Sequence, residues 1–242
     1  MVLISGLGSK MSWLFQVPFF KERMRVIAVH NRGTGKSSRP NYPYTMTMFV
    51  EDVKNLLDYL NIDQQIHLAG ISMGGMIAQH FVLKYPDKVK SLILAATSPE
   101  FNPEPLIAQV KLNPDPEERF KGRLPLLYSR NFRKRLKEDN ELFEIIRNST
   151  MEDQTRVEDY INQAAAITDH HAIDLLEKIK NPTLIMGGMK DRLLPLSPHS
   201  EILHDKIPDS RLEKFEGLGH GFVTEGADMV NEVMWNFIKD HM

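Results

Sequence analysis

Short apolar runs with a β-branched bias alternate along the chain with longer stretches whose apolar residues recur every three or four positions. Val2 to Ser5, Val26 to His30, Ile66 to Gly70, Leu92 to Ala96, Thr183 to Gly187 and Arg211 to Phe215 read as strands. Phe49, Val53, Leu56, Leu57 and Leu60 make one apolar face of a helix with Thr45 or Thr47 as its N-cap, and Gly74 to Lys84 makes a second helix that Pro86 stops. Strands separated by helices cannot close as tight hairpins, so the pattern predicts an α/β fold: a mostly parallel sheet with helices on both faces.

The rhythm breaks between Pro99 and Ala172. No strand-like run appears there, and Pro103, Pro105, Pro114, Pro116 and Pro125 punctuate helical patterns before the chain returns through Ile173 to Ile179 to the strand at Thr183. The segment therefore interrupts the sheet domain. The expected organisation is a core of residues 1–99 and 173–242 with a helical cap inserted at 100–172.

Chemistry concentrates at predicted strand ends. Gly70-Ile71-Ser72-Met73-Gly74-Gly75 lies where a strand passes into a helix, the context that makes a GxSxG string a nucleophile elbow. Glycines are needed because the sharp reversal strains the serine backbone and crowds the positions two residues either side. A serine hydroxyl is a weak nucleophile without a base, and among nine histidines His220 has the fitting setting, in Gly217-Leu218-Gly219-His220-Gly221 after the last strand. Asp191 follows the strand at Thr183, and the order Ser72, Asp191, His220 is the one such a sheet imposes. Glu100 is the competing acid. Backbone N–H groups of Leu7, in Ser5-Gly6-Leu7-Gly8, and of Met73 are the candidate oxyanion donors.

Composition removes other readings. The 242 residues carry 30 basic and 32 acidic side chains and no cysteine, so nothing points to nucleic acid, to an anionic membrane, to a disulfide framework or to a thiolate centre. No apolar run approaches the roughly 20 residues of a membrane span, and the start, Met1 to Gly6, lacks a signal-peptide layout. A cytoplasmic enzyme acting on a small-molecule ester, without cofactor or metal, is the expectation.

The quoted residues resemble the α/β-hydrolase superfamily, above all its branch of small carboxylesterases, enol-lactonases and cofactor-free haloperoxidase-like enzymes with a helical cap. The likeness spans nearly the whole chain; Gly70 to Gln79 is similar to that branch's elbow and helix, and Arg32-Gly33-Thr34-Gly35-Lys36-Ser37 to its RGxGxS loop. The resemblance implies an α/β-hydrolase fold, a triad of Ser72, Asp191 and His220, and ester, lactone or thioester hydrolysis, with perhydrolysis as a further use of the same triad. Three departures stand out. Ser5-Gly6 replaces the family's usual His-Gly, His30 replaces an Asp two residues before Arg32, and Met1 falls on the family's third strand, without the initial antiparallel pair. That last departure predicts that Val26 to His30 is a sheet edge, covered by a second subunit in a homo-oligomer or by chain upstream of Met1.

Two rival classes remain in view. Gly35-Lys36-Ser37 imitates the end of a phosphate-binding loop, but His30 stands where that pattern requires glycine. A non-catalytic binding protein on the same fold would be expected to lack a triad member. Arg130 to Lys137 forms a basic cluster; a solvated helix face is the plainer account, and a mouth for an anionic group such as an acyl-CoA thioester the sharper one.

Overall fold

The computed structural model describes residues 1–9, 11–152 and 155–242. Its sheet contains β1 (Val2–Ile4), β2 (Ile27–Val29), β3 (Ile66–Ile71), β4 (Val89–Ala95), β5 (Thr183–Gly188) and β6 (Ser210–Phe215), in the order β2-β1-β3-β4-β5-β6. Every neighbouring pair is parallel. Strand order reverses between β1 and β3, so crossovers before and after that point fall on opposite faces and open a crevice at the carboxyl ends of the strands.

Alternation along each strand divides the core. Val2, Ile4, Leu68, Leu92 and Leu94 point to one face, where they pack with Phe49, Val53, Ile77 and Phe81 of α2 (Met46–Tyr59) and α3 (Met73–Lys84). Leu3, Ala69, Ile93, Ala95 and Leu184 point to the other, against Phe20 of α1 (Gln16–Lys21) and Val230, Met234 and Ile238 of a C-terminal helix. A sheet buried on both sides explains why its strands read as continuous apolar runs. Thr45 is the N-cap of α2, its hydroxyl accepting from the Met48 N–H at 3.3 Å.

β4 begins three residues before the predicted start at Leu92. Its third residue is Ser91, fully buried yet polar, paired with His67 of β3 at 2.8 Å, so the polar letters hide a strand that the fold satisfies internally. α1 is also unmarked in sequence, since its N-cap position is Phe15 with no capping side chain.

Between β4 and β5 the chain runs through α4 (Glu104–Leu112), α5 (Pro116–Leu127), α6 (Arg130–Glu138), α7 (Asn140–Met151) and α8 (Val157–Thr168). These carry their own small apolar cluster of Phe120, Phe132, Leu136 and Ile146. The segment leaves and re-enters the sheet at one place, where Glu100 and His171 form an antiparallel bridge and the Ala172 N–H donates to Pro99 O at 2.8 Å. After β5 come α9 (Leu196–Lys206), α10 (Phe222–Glu225) and α11 (Ala227–Lys239). Among the described residues no helix is long and apolar enough to cross a membrane. β2 pairs on one side only, with β1, so the predicted edge is an edge here and is three residues long.

Candidate active site

Ser72 sits between β3 and α3 with φ 55° and ψ −125°, a conformation L-residues rarely adopt and one that costs about 1–3 kcal/mol. Its surroundings hold it there. The Ser72 N–H donates to Ala95 O at 2.9 Å, the Thr97 hydroxyl donates to Ser72 O at 2.8 Å, and the Gly75 and Met76 N–H groups bond back to the same carbonyl. The predicted need for glycine is steric: a Cβ on Gly70 would lie 2.1 Å from Gly74 O, and one on Gly74 would lie 2.2 Å from Ile4 O.

His220 and Asp191 arrive from separate loops, after β6 and β5 respectively. His220 is 4% exposed and Asp191 7%. The His220 Nδ1–H donates to Asp191 Oδ2 at 2.7 Å, while Asp191 Oδ1 accepts from the N–H groups of Leu193 at 2.8 Å and Leu194 at 2.9 Å. Both carboxylate oxygens are thus engaged, and ring orientation is fixed with Nε2 left for a partner in the cavity that Ser72 and His220 both line. Glu100, the competing acid, is exposed and lies 3.7 Å from His171, and the acid bonded to His220 is Asp191.

The loop bearing His220 is tied to the helical segment. Glu225 Oε1 accepts from the N–H groups of Gly219 at 2.8 Å and Ser129 at 3.0 Å, and the Gly221 N–H donates to Leu127 O at 2.7 Å. Burial pushes the Glu225 carboxyl upward, with the Ser129 and Gly219 contacts opposing the shift.

At the oxyanion loop the neighbours of Leu7 are committed and Leu7 is not. The Gly6 N–H donates to Ser12 Oγ at 3.1 Å and the Gly8 N–H to Gln163 Oε1 at 2.8 Å, whereas the N–H groups of Leu7 and Met73 donate to no acceptor among the described residues. Support for the departure Ser5-Gly6 is local. Ser5 Oγ accepts from the Ser12 N–H at 3.1 Å, and Asn31 Nδ2 donates to Ser5 O at 2.9 Å. His30, the second departure, takes the Lys36 N–H on Nδ1 at 3.3 Å inside its own loop, while Arg32 makes a bidentate pair with Asp52 at 2.6 and 2.7 Å. None of Gly35, Lys36 and Ser37 lines the cavity.

Thr97, Ser12, Asn31, Gln163 and Glu225 carry no motif, and sequence reasoning passes over them. Each acts through a hydrogen bond to or from backbone, within its own loop for Ser12 and across 25 or more positions for the others, and such contacts leave no motif to read.

The cavity lies between the carboxyl ends of the strands and helices α4, α5, α7 and α8. The basic cluster predicted as a candidate mouth is elsewhere. No side chain of Arg130 to Lys137 lines the cavity, and on α6 Lys134 faces Glu138 and Arg135 faces Asp139 across one helical turn, both pairs exposed. The arginines that line it are Arg119 and Arg123 of α5.

A parallel sheet carrying a strained serine at one strand end, beside an Asp–His pair from two later strand ends, defines the hydrolase class of α/β protein. The family profile described as alpha/beta hydrolase fold matches residues 1–227, and the chain belongs to that family. It is 28% identical over 254 residues to the poly(3-hydroxyalkanoate) depolymerase of Ectopseudomonas oleovorans, covering 99% of this chain and 84% of that protein. To 3-oxoadipate enol-lactonase 2 of Acinetobacter baylyi it is 28% identical over 218 residues, covering 89% and 80%. The solved thermophilic esterase from Thermogutta terrifontis (malate bound) superposes with a TM-score of 0.87 at 25% identity, covering 100% of this chain and 90% of that one. These likenesses place the chain in the branch with esterases, enol-lactonases and non-heme haloperoxidases.

Proposed function

We propose that this hydrolase cleaves a small carboxylic ester, lactone or thioester through an acyl-enzyme on Ser72. The observation that carries the reading is the buried 2.7 Å bond from His220 to Asp191, with His220 lining the same cavity as Ser72. Asp191 accepts from Nδ1–H, so Nε2 is the basic nitrogen and takes the Ser72 hydroxyl proton as Oγ attacks the carbonyl carbon. The resulting oxyanion is received by the Leu7 and Met73 N–H groups and lies at the N-terminus of α3, whose dipole favours negative charge. Collapse breaks the bond to the leaving oxygen or sulfur, which takes the proton back from His220. Water then attacks the acyl carbon, gives its proton to Nε2, and the acid departs as Ser72 recovers its own. Segment 100–172 closes over the reacting atoms as a cap, and the esterase and enol-lactonase relatives support the same bond class.

The test is a panel of p-nitrophenyl esters, lactones and acyl thioesters, together with fluorophosphonate labelling. Turnover and labelling should both vanish in Ser72→Ala while the fold persists. Retention of most of the turnover in that variant would refute the mechanism.

A further inference from the structure

Arg119 and Arg123, the two arginines on the cavity wall, are the only Asp, Glu, Lys or Arg side chains that line it among the described residues. Arg119 is buried, and its guanidinium is held by carbonyl oxygens: Nη1 donates to Asn113 O at 3.1 Å and Pro114 O at 2.9 Å, and Nη2 to Thr155 O at 3.0 Å. Arg123 is half-buried and donates through Nη1 to the Tyr160 hydroxyl. Neither meets a carboxylate among the described residues. The acids on their own helix are engaged elsewhere, Glu117 with Arg147 at 2.9 Å and Glu118 with Lys121 at 3.2 Å. Two guanidinium charges in a partly closed cavity with no acid among its described lining residues favour an anion there, and carbonyl contacts hold such charges without neutralising them.

Tyr160 fixes where that charge lies. Both guanidinium groups sit 5.4 Å from its ring centroid, and its hydroxyl reaches Gly8 O at 3.4 Å. A Cβ on Gly8, which has φ +64°, would fall 1.9 Å from the ring, so glycine there admits the tyrosine. Gly8 adjoins Leu7, the proposed oxyanion donor. One tyrosine therefore ties the arginine pair to the loop that would hold the scissile carbonyl.

We infer that Arg123, with Arg119 behind it, binds a carboxylate on the substrate, so that the preferred ester is one that carries a second, anionic group a few carbon atoms from the scissile carbonyl. The inference rests on the ester-hydrolase reading above. Arg123 is the specificity-determining residue: its remaining N–H donors are available for a charge-assisted pair, and Tyr160 orders the guanidinium before substrate arrives. Arg119, with three of its five N–H donors on carbonyls, adds charge.

The experiment compares matched substrates. Mono-p-nitrophenyl glutarate is set against p-nitrophenyl valerate for an anion on the acyl side, and 4-carboxyphenyl acetate against phenyl acetate for one on the alcohol side. Each pair gives a ratio of kcat/KM, anionic over neutral, in wild type, Arg123→Gln and Arg123→Lys, with melting curves to verify folding. Arg123→Gln should lower that ratio about ten- to a hundredfold for one pair, mainly through KM, and Arg123→Lys should restore part of it. Raising salt should weaken the wild-type preference as well. Ratios within about threefold of wild type for both pairs, with neutral esters still cleaved in a Ser72-dependent way, would overturn the inference and leave the hydrolase reading standing. No Ser72-dependent turnover of any of the four esters would overturn both.

Discussion

Replacing His170 probes a buried pair of imidazoles that joins the helix behind Ser72 to the return of the helical segment. His170 is fully buried, and its Nε2 lies 2.9 Å from Ser98 O. A carbonyl only accepts, so Nε2 carries the hydrogen and Nδ1 is bare, taking the Nε2–H of His80 at 3.0 Å. A proton on Nδ1 would set two donors against each other. Burial, with the neighbouring His80 and His171 adding to it and the Ser98 contact opposing it, pushes His170 from 6.5 down to about 4, and burial lowers His80 too. In that window the unfolded chain binds the proton and the folded chain refuses it, so stability falls as pH drops from 6.5 and levels off below about 4. At 1.36 kcal/mol per pH unit the full loss is about 3 kcal/mol. Urea unfolding of wild type and His170→Gln from about pH 4 to pH 7.5 isolates this share from that of every other titrating group. The stability advantage of wild type should shrink by about 3 kcal/mol on acidification. An advantage that does not change with pH would refute the assignment.

Asp191→Asn should cut kcat by about 10³–10⁴-fold, because an amide cannot both accept from Leu193 and Leu194 and accept from Nδ1–H, and the wrong tautomer leaves Nε2 protonated; steady-state kinetics on a neutral ester would show it, and near-normal kcat would contradict it. Gly70→Ala should destabilise by about 1–3 kcal/mol or more, since the added Cβ meets backbone at Gly74 that cannot swing away; an unchanged melting temperature would count against the crowding argument. Ser12→Ala should lower kcat by up to about 10²-fold with little change in KM, as the loop carrying the Leu7 N–H loses the acceptor for Gly6 N–H. A loss confined to KM would show that this loop serves ground-state binding instead.

The alternation of apolar runs with helical periodicity, the glycine-framed Ser72 and the order Ser72, Asp191, His220 are all local or sequential properties, and the amino-acid sequence by itself determined them. Each follows from what a strand, a tight turn or a crossover requires of the few residues that form it. The edge position of β2 was expected only through the resemblance to the family's sheet order, and the fold has it at the edge. Asn31, Gln163 and Glu225 were not legible, because their contacts reach backbone groups brought near only by folding, in the case of Gln163 across 155 positions. Charge in the helical segment shows the division best. Arg130 to Lys137 is the denser cluster in sequence, yet α6 buries Phe132 and Leu136 in its own apolar cluster, turns Arg130, Lys134, Arg135 and Lys137 to water, and presents none of its cations to the cavity. Arg119 and Arg123 line the cavity, in a sparser stretch where Lys121 stands between them and Glu117 and Glu118 precede them. Charge density is written in the chain, but which face of a helix meets the cavity is set by the packing of its apolar residues against partners distant in sequence, and that only the tertiary structure decided.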